Sequence, residues 1–275
     1  MKRKRRKNVW RYIIISVISL FFAFPVIWVL LTSLKKPIDA TSFWRFTMPP
    51  KFDNYVAAWT NSGFSKAFIN TAIISVATVA ISLFAGFLMA YAIMRSPINN
   101  KLRKFLFNGV YSMRIIPEMV FLIPLFILYQ ETKLYDTRIG LIFAFQVLTL
   151  PYCIMLLCNF IRDIPEDLEW AGRLDGCSEG KVMTKVVLPL CMPGIVTSGI
   201  LAFITVWTSL MFPLALAYSK ATTVAVTISV FKGYGSFNWP VMAAASMIIT
   251  LPQILLFAFC NKYLISGYTM GAVKE

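Results

Sequence analysis

The chain has 275 residues, of which 58% are apolar and 14% charged, and its mean hydropathy is +0.70. This composition excludes an ordinary soluble domain, because too few polar residues remain to cover a water-facing surface. The net charge of +15 does not indicate nucleic-acid binding, since much of it precedes the first apolar segment. Histidine is absent, which excludes triads and histidine metal sites. We expect neither enzymatic activity nor a metal site.

Residues 1–10 form a basic tail in front of the first apolar segment. Lys and Arg concentrate on the cytoplasmic side of membrane helices, so the N-terminus is predicted to be cytoplasmic. A cleaved signal peptide is the alternative. It is disfavoured because the apolar segment runs to Ser33 and ends in Leu34-Lys35-Lys36, without a small-residue cleavage site.

Apolar blocks of about 20 residues, the length that spans ~30 Å of hydrocarbon, recur along the chain. An open strand cannot satisfy its backbone in lipid, so we predict an all-α integral membrane fold over residues 11–265. Prolines at 117, 124 and 252 predict kinks in the third and sixth spans. The six predicted transmembrane helices are residues 11–33, 68–94, 105–129, 139–161, 193–217 and 241–265.

Six spans return the C-terminal tail, residues 266–275, to the cytoplasm. The five cysteines then fall in spans or cytoplasmic segments, where no disulfide is expected. Residues 34–67 form an external loop with two readings: an interfacial loop with aromatic anchors, or part of a docking face for an external partner. The sequence does not separate them.

The inner loop between the fourth and fifth spans, residues 163–192, carries signals for two short helices around a turn. Such local specification is typical of a contact surface. The signals are a capping box of Asp163 and Glu166, Pro165 in the first turn, the turn dipeptide Asp175-Gly176, the second cap Ser178, and Pro189 and Pro193 as stops.

This inner loop has two interpretations. It is either an amphipathic hairpin with Leu168, Trp170 and Leu174 toward lipid, or a docking surface for a protein. The nearby acidic cluster favours the protein partner, because it is repelled by an anionic inner leaflet. The cluster consists of Glu166, Asp167 and Glu169.

Asp175-Gly176, followed at a distance by Pro189 and Pro193, resembles the inner-loop motif of one family. These are the membrane subunits of binding-protein-dependent ATP-binding-cassette importers, of the maltose-type carbohydrate branch. The similarity covers nearly the whole chain. It includes Pro49-Pro50, Asn70, Arg114 to Pro117, Ile123-Pro124-Leu125-Phe126, Leu134 to Thr137, Leu150-Pro151, Trp207 and the ending Tyr263 to Lys274.

The resemblance implies a permease subunit in a bacterial cytoplasmic membrane, which imports a sugar or oligosaccharide delivered by an extracellular binding protein. It implies a second homologous permease subunit and two ATP-binding subunits, which bind ATP and Mg²⁺, so that this chain holds no cofactor. A polyol or glycerol-phosphate-like solute is the alternative. A secondary transporter is disfavoured because the acidic residues, apart from Glu118, lie outside the spans.

The resemblance also implies which residues contact the ATPase. The inner loop becomes a cytoplasmic helix-turn-helix coupling loop that sits in a cleft of the ATPase, and the C-terminal tail reaches between the paired ATPases. The implied contacts are Glu169, Trp170, Ala171, Leu174, Asp175 and Gly176 in the coupling loop, and Gly271, Val273 and Lys274 in the tail.

The inner loop departs from the family motif at two positions. With Asp175-Gly176 fixing the register, Trp170 occupies the position of the motif glutamate, Gly172 replaces the second alanine, and Glu169 lies one residue early. One residue is a rotation of about 100° on a helix, so an ionic contact cannot simply be transferred. We therefore expect Trp170→Ala to uncouple ATP hydrolysis from transport more than Glu169→Ala does.

The candidate translocation path is drawn from residues within or next to the spans. Arg114 and Glu118, four residues apart, are either a structural pair near the interface or part of the path. Trp207, Phe237 and Trp239 either stack on sugar faces or belong to an interfacial aromatic belt.

Overall fold

The computed structural model of the chain describes the backbone of residues 2–42, 44–60, 63–229 and 238–270, and the side chains from residue 10 to residue 260 within those ranges. These residues form helices and no strand. A 3₁₀ turn covers Pro37–Asp39, and a π-helical segment covers Met183–Val187. The α-helices are α1 Lys2–Ser33, α2 Asp53–Thr60, α3 Phe64–Arg95, α4 Asn100–Met113, α5 Glu118–Glu131, α6 Arg138–Arg162, α7 Glu166–Leu174, α8 Glu179–Val182, α9 Leu188–Leu190, α10 Met192–Thr208, α11 Met211–Leu216, α12 Val224–Ser229 and α13 Trp239–Met270.

Four helical segments are long and apolar enough to cross a membrane: Trp10–Ser33, Phe64–Arg95, Arg138–Arg162 and Trp239–Cys260. They coincide with the first, second, fourth and sixth predicted spans. Two further spans exist only as bent pairs, in which α4 meets α5 at 87° and Glu179–Leu190 meets α10 at 71°. The described chain therefore has four candidate spans, or six if each bent pair counts as one.

The predicted third span is interrupted between α4 and α5, where a kink was expected, and the predicted fifth span is interrupted between α10 and α11; a proline follows each of these interruptions. A proline lacks the N–H that would bond the carbonyl four residues earlier, and its ring clashes with that carbonyl. Four residues before Pro117 lies Met113, where α4 ends, and four residues before Pro213 lies Ser209, where α10 gives way to extended backbone. The expected kink at Pro117 is thus a full interruption of the helix.

The predicted capping signals of the inner loop are not used as expected. Asp163 is the C-terminal cap of α6, with its N–H donating to the Asn159 carbonyl. Pro165 occupies the N-cap of α7 without a side-chain capping bond, so no capping box with Glu166 forms. Ser178 precedes α8, but its side chain makes no capping bond either. Because α6 and α7 nearly abut, Asp163 is already engaged by the end of α6.

Contacts group the chain into two compact units, residues 1–65 with 228–252 and residues 66–227 with 253–275. In the first unit the segment after α1 folds around Lys35, whose side chain is 1% exposed. The Lys35 ammonium donates to the Ser42 carbonyl at 2.8 Å and lies 4.6 Å from the Trp28 ring centroid and 5.2 Å from that of Phe46. This part of the predicted external loop is therefore a packed cap.

In the second unit, α3 and α6 share a polar seam inside an apolar core. Ser82 Oγ donates to Gln146 Oε1 at 2.8 Å and lies 2.6 Å from Thr149 Oγ1, while Gln146 Nε2 donates to the Thr78 carbonyl at 3.2 Å. Hydrogen bonds of this kind hold helices together where lipid supplies no hydrophobic driving force. The seam fixes the two longest helices of this unit side by side.

Asp136, between α5 and α6, clamps the segment that follows α11. Its carboxylate accepts backbone N–H groups of Tyr218, Ser219, Lys220 and Ala221 at 2.9–3.1 Å. Burial favours the neutral form of the Asp136 carboxyl and so raises its pKa. The four hydrogen bonds favour the charged form, and their combined effect is larger than that of burial, so the pKa lies below its usual value.

We predict that Asp136→Asn lowers the stability of the purified protein by about 1.5–3 kcal/mol at neutral pH, the usual contribution of hydrogen bonds to a charged group. The folded pKa is depressed, so the stabilisation is present above the unfolded pKa of about 3.9 and is lost as pH falls through the folded value. Thermal unfolding in detergent at pH 7 and pH 3 measures this. Asp53→Asn, at a side chain 89% exposed, is the control. Equal midpoints of Asp136→Asn and the parent at pH 7 would contradict the prediction.

Candidate functional site

The first candidate site is the helix α7, whose two sides differ sharply in exposure. Glu169 is 1% exposed, whereas Trp170 is 58%, Leu168 45% and Leu174 88% exposed. One side of α7 thus carries a buried carboxylate, and the other presents large apolar side chains in a loop that is otherwise rich in charge.

Glu169 is buried against Arg95, the last residue of α3. Arg95 Nε donates to Glu169 Oε1 at 2.5 Å, and Arg95 Nη2 donates to the carbonyls of Ile161 and Ile164 at 2.8 Å. Arg95 Nη1 lies 3.7 Å from the exposed Glu166 carboxylate. One guanidinium therefore joins the ends of α3 and α6 to the start of α7. Arg95 was not predicted as a site residue, because its only signal was a positive charge at the end of the second predicted span.

Arg173 links the last turn of α7 to the start of α8. Its Nε and Nη2 donate to the two carboxylate oxygens of Glu179 at 2.7 and 3.0 Å. The same guanidinium lies 4.8 Å from the Trp170 ring centroid. The fork holds the two short helices in a fixed relation and supports the Trp170 ring from one side.

The turn after α7 is built by Asp175 and Gly176, both exposed. Gly176 has φ +81°, a left-handed conformation that favours glycine, and the N–H of Cys177 donates to the Gly172 carbonyl at 3.0 Å. Gly172 is not required by space, because a Cβ there would lie 3.5 Å from Val186 Cγ2, an ordinary contact. Of the predicted coupling residues, Trp170, Ala171, Leu174, Asp175 and Gly176 are exposed and Glu169 is not.

The second candidate site is a cavity of about 470 Å³ at the break between α4 and α5. Arg114, Glu118, Tyr152, Thr149 and Thr205 line it among apolar residues. The Arg114 guanidinium lies 4.4 Å from the centroid of the Tyr152 ring. A cation, a carboxylate, hydroxyls and an aromatic face thus converge on one cavity.

Of the two alternatives for Arg114 and Glu118, the structural pair is not seen: no ion pair between described residues joins them. The pairing assumed a continuous helix, and the 87° bend at Pro117 removes the spacing on which it depended. Tyr152 was missed, since its only signal was an aromatic residue following Pro151 in a span.

Trp207 does not line this cavity. Trp207 is 2% exposed and packs 5.1 Å from Phe203 and 5.5 Å from Phe68, centroid to centroid. Trp239 begins α13 and is half exposed. Phe237 lies outside the described residues, as do the tail residues Gly271, Val273 and Lys274. In the described part of the chain, no three Cys, Asp or Glu side chains are grouped for a metal ion.

Comparison with known proteins identifies the family. The family model described as "Binding-protein-dependent transport system inner membrane component" matches residues 82–269. Trehalose transport system permease protein SugB of Mycobacterium tuberculosis is 33% identical, with 98% of each chain covered. Sulfoquinovosyl glycerol transport system permease protein SmoH of Agrobacterium fabrum is 32% identical over 96% of this chain and 93% of its own. Melibiose/raffinose/stachyose import permease protein MelC of Bacillus subtilis is 31% identical over 100% of both chains.

A solved structure shares the fold. A chain in the crystal structure of a bacterial ABC transporter involved in the import of the acidic polysaccharide alginate superposes with a TM-score of 0.79 at 19% identity, over 96% of this chain and 98% of that one. The resemblance found in the sequence is thereby confirmed. The chain belongs to the family of binding-protein-dependent transport system inner membrane components, the permease subunits of ATP-binding-cassette importers.

Proposed function

We propose that this chain is one half of a heterodimeric permease that imports a saccharide or other glycoside across the bacterial cytoplasmic membrane. The observation that carries the solute class is the set of relatives, whose names specify trehalose, sulfoquinovosyl glycerol and melibiose, raffinose or stachyose. Each of these solutes contains a sugar unit. A polyol or glycerol phosphate without a sugar unit is correspondingly disfavoured.

In this proposal, energy enters through α7. Trp170 and Leu174 are large apolar side chains exposed on a charged loop, a pattern that marks protein docking sites. They serve as anchors in a cleft of a cytoplasmic ATPase subunit, which binds ATP and Mg²⁺. Both termini and the coupling loop are then cytoplasmic, and the chain itself performs no covalent chemistry.

Movement of α7 is passed to the spans through Arg95. Its guanidinium bonds the Glu169 carboxylate and the backbone end of α6, and it is itself the end of α3. A displacement of α7 must carry the ends of α3 and α6 with it or break a buried ion pair. ATPase closure can bias the permease only through contacts of this kind, whose energy differs between its two states.

The cavity at the α4–α5 break is proposed as part of the solute path. Interrupted helices occur at membrane depth where the freed backbone lines a cavity. Arg114 and Glu118 supply the donor and acceptor groups that sugar hydroxyls require, and Tyr152 supplies an aromatic face.

Arg114→Gln is expected to raise the solute concentration for half-maximal transport by about tenfold or more, since a lost hydrogen bond to a charged group costs about 1.5–3 kcal/mol. Lys101→Gln, an exposed cation outside this cavity, is the matched control. Transport assays of the reconstituted complex measure both. An unchanged half-saturation for Arg114→Gln would remove this cavity from the path.

Affinity purification in mild detergent, followed by reconstitution, tests the proposal as a whole. We expect a second permease subunit and an ATPase to co-purify with the chain, and vesicles to accumulate a labelled glycoside only with ATP and a binding protein. Recovery of the chain alone, or uptake driven by an ion gradient without ATP, would indicate a secondary transporter instead.

A further inference from the structure

The loop that joins α11 to α12, residues 217–223, lies at the opposite end of the second unit from α7. Asp136 binds this loop and stands two residues before α6, whereas α6 ends at Arg162, next to α7. At the rise of an α-helix, the 25 residues of α6 measure about 37 Å, which exceeds the ~30 Å of hydrocarbon in a bilayer. The loop and α7 are therefore on opposite sides of the membrane.

Hydrogen bonds from two helices and from Asp136 hold this loop in one conformation. In addition to the four bonds to the Asp136 carboxylate, Asn70 near the start of α3 donates through Nδ2 to the carbonyls of Lys220 and Thr222 at 2.9 Å. Asn70 Oδ1 in turn accepts from Arg138 Nε, at the start of α6, at 2.8 Å. The backbone of the loop is thus fixed by the chain itself.

The exposed side chains of this loop are polar or aromatic. Tyr218 is 83% exposed, and Ser219 and Lys220 beside it are also exposed. Ala217 and Ala221, the aliphatic residues of the loop, are 5% and 0% exposed. Apart from the Tyr218 ring, the loop therefore offers no apolar side chain to the acyl chains of a lipid. A surface of this composition faces water.

The surroundings of the loop carry an excess of positive charge. Lys66 on α3 donates through Nζ to the Ser219 carbonyl at 3.3 Å, so its ammonium lies beside the loop. Four exposed basic residues, none of them in an ion pair with another described residue, lie in the loop or within three residues of a side chain bonded to it: Lys66, Lys133, Arg138 and Lys220. In the same range the sequence has one carboxylate, that of Asp136, whose oxygens already accept the N–H groups of the loop.

We propose that Lys66, Tyr218 and Lys220 form the contact surface for an acidic patch of the extracellular binding protein. This inference rests on the proposed function, which places α7 in the cytoplasm and so brings the binding protein to the side of the loop. External segments of membrane proteins carry fewer Lys and Arg than cytoplasmic ones, so a cluster of cations here indicates a specific anionic partner.

Each part of the surface has a role in this contact. Carboxylates of the partner pair with the ammonium groups of Lys66 and Lys220, which steers the approach of the two proteins. The Tyr218 ring is the aromatic anchor at the centre. Because Asp136 already holds the backbone N–H of Tyr218, the loop loses little conformational freedom when the partner binds.

Crosslinking in intact cells identifies the partner. Tyr218 is replaced by the photo-crosslinker p-benzoylphenylalanine, and the crosslinked product is analysed by mass spectrometry. We expect a peptide of a solute-binding protein that contains Asp or Glu residues. A phospholipid adduct, a peptide of the second permease subunit, or no crosslink at all would overturn the proposal.

The charge of the surface is tested with that purified binding protein and the whole complex in phosphatidylcholine nanodiscs. We expect Lys66→Gln and Lys220→Gln each to raise the dissociation constant about fivefold, from ~1 kcal/mol per ion pair, and Lys220→Arg to keep the parental value. Added salt should weaken binding to the parent more than to the double variant, because it screens charges. Lys101→Gln is the matched control, at an exposed lysine near the end of the molecule that carries α7.

Two results of the titration would remove the surface. They are parental affinity of Lys66→Gln with Lys220→Gln, and equal weakening by Lys101→Gln, which would mean diffuse charge. Both single variants change exposed side chains, so they keep the test valid if the double variant does not fold. Either result leaves the proposed function intact as long as the parent complex takes up a labelled glycoside with ATP. Uptake by the parent without ATP would contradict the proposed function instead.

Discussion

Glu169→Ala is expected to destabilise the protein by about 3–5 kcal/mol and to abolish transport. Removing one partner of a buried ion pair leaves the other charge without compensation. Glu169 is 1% exposed and the Arg95 side chain 8%, so water can replace the lost carboxylate only poorly. Thermal unfolding of the purified complex and uptake by reconstituted vesicles measure the two effects.

Two variants show whether burial of the pair is the cause. Glu166→Ala removes a carboxylate from the same helix that also lies near Arg95 but is 67% exposed, and it should cost less than about 1 kcal/mol. Adding Arg95→Met to Glu169→Ala should restore part of the stability, although the bonds of Arg95 to Ile161 and Ile164 stay lost. If Glu169→Ala unfolds at the parental temperature, the pair does not hold α7 to the spans.

Trp170→Ala should leave the fold intact and weaken ATPase binding by about 30-fold or more. The side chain is 58% exposed, so truncation creates no internal void. Central aromatic anchors of interfaces commonly contribute ~2 kcal/mol or more to binding, which corresponds to that factor. The readouts are the unfolding midpoint, the fraction of ATPase that co-purifies, and uptake per ATP hydrolysed.

The matched control is Phe105→Ala, which removes an aromatic side chain 72% exposed on α4 rather than on α7. It should not change recovery of the ATPase. Normal co-purification and coupling with Trp170→Ala would show that the exposed face of α7 is not the docking surface. Glu169→Ala and Trp170→Ala are thus expected to fail in different ways. Glu169→Ala should lose stability, and Trp170→Ala should lose binding of the ATPase.

The sequence predicted the membrane class and four of the spans because these follow from local composition and spacing. It did not predict the breaks at Met113 and Ser209, although Pro117 and Pro213 were visible. A proline in an apolar segment predicts an interruption, but whether the helix bends or stops depends on the neighbours that satisfy the freed carbonyls.

Among the site residues, too, only the locally determined features could be predicted. The turn at Gly176 could be predicted because glycine after aspartate favours a turn through its own local conformation. The contacts Arg95–Glu169 and Arg114–Tyr152 join residues distant in sequence, and no local sequence pattern predicts them. The predicted capping box does not form, because Asp163 is instead the C-terminal cap of α6.

The pairing of α3 with α6 also limits how this unit can change shape. Arg138 Nε donates to Asn70 Oδ1 at 2.8 Å near one end, the Ser82 seam lies midway, and Arg95 bonds the Ile161 carbonyl at the other end. Helices α3 and α6 are therefore bonded near both ends and in the middle, so we expect them to move as one rigid body. We therefore expect bending during a transport cycle to occur at the two helix interruptions, after Met113 and after Thr208.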